Sequence, residues 1–127
     1  SWEGIMAAAK FRPEKLVLLV DYNKVQLDGN SDDIMPMDPL DEKFKAFGWR
    51  VAPEIYDGHD HDAIASAFSW VDSEASGPSV VIFRTHKGRG VSFMEDTSAW
   101  HGAPVDDDSY AKALPELKAG LAQMEAK

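Results

Sequence analysis

Leu16-Val17-Leu18-Leu19-Val20-Asp21-Tyr22-Asn23 opens with five consecutive apolar residues and ends in three polar ones. An unbroken run of that length, without the alternation of a half-exposed strand, suits a strand covered on both faces, as in parallel sheets flanked by helices. Polar groups at the C-terminal end of such a strand face the crevice where open α/β sheets bind ligands. Working outward, Trp2, Ile5, Met6 and Ala9 have the spacing of one helix face. That face starts at the second residue with no lead-in strand, so the chain is expected to begin inside a larger domain. On the other side, Asp28 to Pro39 is rich in Gly, Asn, Asp and Pro and reads as a loop. A helix is expected next, capped by Asp38, with Pro39 at its first position, an apolar face of Leu40, Phe44 and Phe47, and Gly48 as its stop.

Trp49 to Ile55 reads as a second strand, with Pro53 implying an edge, a bulge or an early finish. After the Asp57-Gly58 turn, Asp60 caps a predicted helix with Ile64, Ala67, Phe68 and Val71 on its buried face. Ser79-Val80-Val81-Ile82-Phe83 makes a third strand. The order α, β, α, β, α, β implies an α/β fold: a parallel sheet with helices on both faces, truncated at its N-terminus. The whole is expected to be one partial domain over residues 1–127, with an α/β core over 1–84, a functional loop over 85–105 and a helical tail over 106–127. The tail repeats Tyr110, Leu114, Leu117, Leu121 and Met124 as a helical stripe that Pro115 is expected to kink or split.

The chain has 127 residues, 13 Lys and Arg against 22 Asp and Glu, a formal charge of −9, and 44% hydrophobic residues. That composition is globular, and the acidic balance argues against nucleic acid as a partner. No apolar run approaches the roughly 18 residues that a membrane-spanning helix needs. Cysteine is absent, which removes disulfides, thiol catalysis and cysteine-zinc sites, and the expected location is the cytoplasm. Asp57-Gly58-His59-Asp60-His61-Asp62 carries metal-ligating side chains, but neighbouring residues on a strand-to-helix turn diverge, and capping is the stronger reading of Asp60. Lys87-Gly88-Arg89-Gly90 follows a strand end without forming a phosphate-binding P-loop. Alone it reads as an exposed basic turn. His101, between Trp100 and Gly102 in a loop, is a candidate pocket residue.

Taken together and in order, Trp2-Glu3, Asp21-Tyr22-Asn23-Lys24-Val25-Gln26-Leu27-Asp28-Gly29, Met35-Pro36, Ala46-Phe47-Gly48-Trp49, Asp57-Gly58-His59-Asp60, the stretch Thr85-His86-Lys87-Gly88-Arg89-Gly90-Val91-Ser92-Phe93-Met94-Glu95 and Trp100-His101-Gly102 resemble the thiamine-diphosphate-binding half of transketolase. The likeness is strongest to the separate N-terminal subunit of split bacterial transketolases and covers residues 2–104. The resemblance implies that the Asn23 side chain and the Val25 carbonyl bind a divalent cation, Mg²⁺ or Ca²⁺, that holds the diphosphate. It implies that Lys87 reaches the cofactor, and that His101 contacts both cofactor and substrate and serves in catalysis. It further implies ketol transfer between sugar phosphates, a partner in the form of a second, pyrimidine-binding C-terminal subunit, and a homo- or hetero-oligomer. The family's opening Gly-Asp-Gly is absent from this chain. A related ketol or aldehyde transferase such as deoxyxylulose-phosphate synthase, or a non-catalytic fold remnant that binds a partner, stays open as an alternative.

Overall fold

The computed structural model describes residues 1–73 and 77–126, which group into two compact units: 1–22 with 37–85, and 23–36 with 86–127. The first unit is built on a parallel sheet. Helix α1 spans Trp2–Phe11 and stops where Arg12 turns left-handed (φ 47°) ahead of Pro13, its N–H donating to the Ala8 carbonyl. Strand β1, Val17–Tyr22, lies parallel to β6, Ser79–Arg84, in the register Val17↔Ser79 to Tyr22↔Arg84. The expected second strand is broken into β4, Arg50–Val51, and β5, Tyr56–Asp57, both parallel to β6. The interruption surrounds Pro53, which has no N–H for a ladder.

β6 is central and carries Val80, Val81 and Ile82 at 0%, 1% and 2% exposure. Successive side chains of a strand point to opposite faces, and each face receives its own helical layer. Val80 and Ile82 join Tyr22, Leu40, Phe44 and Trp49, with α1 and α3 (Leu40–Ala46) packed over them. Trp2 stacks 5.6 Å from Phe44 and 5.7 Å from Phe47, and Phe44 meets Trp49 edge-on at 5.8 Å. Val81 joins Ala52, Tyr56 and Ala67 beneath helix α4, His61–Asp72. Helices on both faces of a parallel sheet are therefore what the sequence pattern implied.

Three local expectations change. Asp38 does not cap α3: its carboxylate accepts the Tyr22 hydroxyl proton, and the N-cap position falls to Pro39, which has no side-chain bond to offer. β1 is not covered on both faces, since Leu19 is 48% exposed beside Phe68 at 45%. Those two side chains, with Ile64 and Phe83, line an open cleft of about 280 Å³. β1 has β6 as its one partner strand among the described residues, which makes it an edge. Third, the tail helix α5, Asp107–Glu125, runs unbroken through Pro115 and exposes Tyr110, Leu117, Leu121 and Met124. Ala113 is its buried residue.

Arg50 ties β4 to the end of α4. Its guanidinium lies 3.8 Å from the centre of the Trp70 ring and donates to the carbonyls of Trp70 (2.7 Å) and Val71 (3.2 Å) and to Ser73 Oγ (2.9 Å). A cation at a helix C-terminus satisfies carbonyls that have no partner within the helix. Arg50→Met keeps the aliphatic stem and removes the charge and donors. It is expected to lower unfolding stability by about 1–3 kcal/mol, measured by urea denaturation followed through tryptophan fluorescence.

Candidate functional site

All four residues singled out by the resemblance, Asn23, Val25, Lys87 and His101, fall in the second unit. Its two segments leave the sheet from neighbouring strands, one directly after β1 and the other two residues after β6. In the first segment the Asn23 side-chain oxygen accepts the Val25 N–H at 2.8 Å across Lys24, which is left-handed at φ 62°. This closes an Asx-turn. The turn leads into a two-residue antiparallel ribbon, β2 (Val25–Gln26) with β3 (Gly29–Asn30), and then into the short helix α2, Ser31–Ile34, capped by Asn30. The stretch expected as plain loop thus contains a ribbon and a helical turn. Lys24 fastens the two ends: its ammonium meets both oxygens of Asp32 at 2.9 and 3.0 Å, and its carbonyl accepts the Ser31 N–H at 2.9 Å.

The second segment is a loop held by its own main chain. Arg89 N–H donates to the His86 carbonyl, Val91 to Gly88, and both Met94 and Glu95 to Val91. Gly88 is the tightest point, at φ 75°, where a Cβ would lie 2.5 Å from the Met94 carbonyl oxygen. Only glycine fits there. Gly90 N–H is received by the Glu95 carboxylate at 2.9 Å. Lys87 is half-buried at this turn, and among the described residues no carboxylate pairs with its ammonium. Farther on, Phe93 and Trp100 pack edge-to-face at 5.5 Å, and the Thr97 hydroxyl caps a 3₁₀ turn over Ser98–Trp100. His101 follows that turn, held by its N–H to the Ser98 carbonyl at 2.9 Å, with an exposed imidazole. A histidine buried under the loop for structural reasons would look different.

The acidic and histidine-rich turn at 57–62 has no metal geometry: no three His, Cys, Asp or Glu side chains among the described residues are placed to hold an ion. Asp57 instead accepts the His59 N–H at 2.8 Å, and Asp60 caps α4 through Asp62 N–H at 2.8 Å. Two features of the loop carry no sequence signature. His86 Nδ1 meets Asp96 Oδ2 at 2.9 Å, and Ser92 is held to α5 by Glu116, through its N–H at 2.6 Å and its hydroxyl at 2.8 Å. Pairs at separations such as 86 to 96 or 92 to 116 match no helical or strand period.

Against known proteins, the family described as transketolase, thiamine diphosphate binding domain, matches residues 1–122. The chain belongs to that family. It is 38% identical over 117 residues to a 6-deoxy-6-sulfo-D-fructose transketolase subunit of Clostridium sp., covering 92% of this chain and 42% of that one. It is 36% identical over 118 residues to an apulose-4-phosphate transketolase subunit of Actinobacillus succinogenes, covering 93% and 42%. The chain thus spans about two fifths of the length of these curated relatives. Among solved structures, transketolase of Pichia stipitis in complex with sedoheptulose-7-phosphate superposes with a TM-score of 0.79 at 27% identity, over 94% of this chain and 17% of that one. Transketolase from Campylobacter jejuni, at 22% identity, shares the fold with a TM-score of 0.80 over 93% and 18%.

The hydrogen bonds from Ser92 hold the Glu116 carboxyl below its ordinary value of 4.5, the backbone N–H contributing most. A carboxyl lowered in the folded state stabilises the folded form above its ordinary value and stops doing so as pH falls through the lowered one. The tie between loop and α5 is therefore intact at neutral pH and is released on acidification below 4.5. The expected result is a Ser92 amide resonance that titrates in this acid range by NMR and no longer does so in Glu116→Gln.

Proposed function

We propose that this chain forms part of a transketolase, an enzyme that moves a two-carbon ketol unit from a ketose phosphate to an aldose acceptor with thiamine diphosphate. The observation that carries this reading is the family match over residues 1–122. The placement of Asn23, Val25, Lys87 and His101 in one compact unit supports it. Thiamine diphosphate, when bound, supplies the carbanion stabilisation that the reaction needs, and the protein supplies binding and orientation.

The donor set fits the proposed metal. An amide oxygen from Asn23 and the main-chain carbonyl of Val25 are hard, neutral ligands of the kind that Mg²⁺ and Ca²⁺ accept. The Asx-turn fixes the Asn23 side chain relative to Val25 before any ion arrives. Two donors fall short of the roughly six that such an ion takes. The remaining donors come from the diphosphate and from residues outside this chain, so residues 1–127 alone are expected to be inactive. In the same reading Lys87, which pairs with no carboxylate among the described residues, offers its ammonium to the diphosphate. The exposed His101 imidazole donates to or accepts from the substrate oxygen, since either ring nitrogen can serve as donor or acceptor.

Two of the relatives are themselves subunits by name, which supports a partner here in the form of a second, pyrimidine-binding subunit. The name of the apulose-4-phosphate relative supports sugar phosphates as substrates, and the proposal includes an oligomeric enzyme and a cytoplasmic location. No described helix is long and apolar enough to cross a membrane. Residues 85–105 act in this proposal as the cofactor-site loop of one partial domain.

His101→Ala in the complete enzyme, with cofactor saturating, is expected to reduce turnover on the order of 10²–10⁴-fold while leaving the melting temperature unchanged, because the side chain is exposed. Near-normal turnover would remove His101 from the catalytic set. Asn23→Ala is expected to raise the cofactor concentration needed for half-maximal activity more than it slows turnover at saturation, since it removes an anchor and not a reacting group. Steady-state titrations with cofactor and metal check this.

A further inference from the structure

Asp96 holds both Lys87 and the residue before it. Its side chain meets His86 Nδ1 at 2.9 Å, and its main-chain N–H donates to the Lys87 carbonyl at 2.9 Å. It does both from a left-handed backbone at φ 53°, a conformation that Asp and Asn adopt more readily than most residues. On the other side of Lys87 the chain is fixed by Gly88, whose backbone passes against the Met94 carbonyl. Lys87 is thus clamped before and behind, and its own carbonyl is tied across the loop. Its side chain is left as the movable part. The His86–Asp96 pair is half-exposed, with side chains 47% and 49% accessible. As a contribution to global stability such a pair counts for little, whereas as the closure of a loop that carries a functional cation it limits how far that cation wanders.

We infer that His86 and Asp96 are positioning residues: they latch the 86–96 loop so that Lys87 is presented to the diphosphate of the cofactor. This rests on the assignment of Lys87 to the cofactor site made above. The latch works through the ordering of the free protein. When the loop is already closed, binding the anion costs less conformational entropy, so the latch contributes to affinity and not to the chemical step. With Asp96 accepting from Nδ1–H, the imidazole keeps a fixed ring orientation.

The test uses the full-length polypeptide that contains this chain, assembled with its partner, and two independent readouts. Limited trypsin digestion without cofactor reports the latch directly, because Lys87 and Arg89 are both cleavage points inside the loop. Half-saturation by thiamine diphosphate with Mg²⁺ reports its consequence. His86→Val is expected to speed cleavage after Lys87 and Arg89 and to raise half-saturation, each about two- to fivefold, with turnover at saturating cofactor retained. His86→Asn, whose amide nitrogen replaces the Nδ1 donor, is expected to restore both. Asp96→Asn, which suits the left-handed backbone, is expected to fall between them and serves as the second variant if His86→Val does not fold. Unchanged cleavage in His86→Val and Asp96→Asn overturns the latch. Faster cleavage with unchanged half-saturation overturns the positioning role. Lys87→Met in parallel separates the two levels. If it weakens cofactor binding while His86→Val does not, the latch alone has failed. If neither does, the assignment of Lys87 has failed with it.

Discussion

Strand β6 is the element on which the first unit depends. Val80 and Ile82 build one core and Val81 the other, and β1, β4 and β5 each pair directly with this strand and with no other described one. A residue pair such as Val80 and Val81 therefore anchors two separate helical layers through adjacent Cα atoms, one layer of α1 and α3 and one of α4. Burial on both faces accounts for the unbroken apolar run. It also makes β6 a place where a polar or truncated side chain is costly, since Val80, Val81 and Ile82 are fully packed within the two cores.

The second unit obeys a different constraint. It has little apolar interior, with Val91 and Ala113 as its buried hydrophobic residues among those described, and its shape comes from main-chain and side-chain hydrogen bonds within two short segments. Asn23, Lys24 and Asn30 organise the first segment. Glu95, Asp96 and Glu116 organise the second. Loops of this construction hold polar groups at the surface in fixed positions without burying them, which is the requirement for groups that must meet a charged ligand. The exposed His101 and the Lys87 ammonium, which no carboxylate pairs with among the described residues, are in keeping with it.

How much of this could be read from the sequence follows the range of each interaction. Asp60 was legible as a cap because the bond to Asp62 is local, and Pro53 marked the break between β4 and β5 for the same reason. Of the expected α4 face of Ile64, Ala67, Phe68 and Val71, Ala67 is buried, whereas Phe68 is 45% exposed. Asp38 was misleading: its partner is Tyr22, sixteen positions away, and a non-local hydroxyl displaced the local capping bond. The ribbon at 25–30 was hidden because two-residue strands have no period to detect. Leu19 shows a further limit, since an apolar run states that a residue avoids water without stating which neighbour covers it. In the loop, the residue types at 87 and 101 drew attention through their resemblance to transketolase. The pairing of His86 with Asp96 and of Ser92 with Glu116 gave no such signal, because contacts across irregular chain have no characteristic spacing.

The central place of β6 has a consequence for the order of events during synthesis. β1 emerges early and β6 late, with Val17 destined to pair with Ser79. Until residues 79–84 have left the ribosome, neither β1 nor the halves of the broken strand have the neighbour with which they pair here. Helices as short as α1, α3 and α4 are marginal on local bonds alone, and closing the long chain between β1 and β6 is entropically costly. During that interval β1, β4 and β5 lack the β6 edge, and unpaired strand edges of this kind are open to other chains and to chaperones.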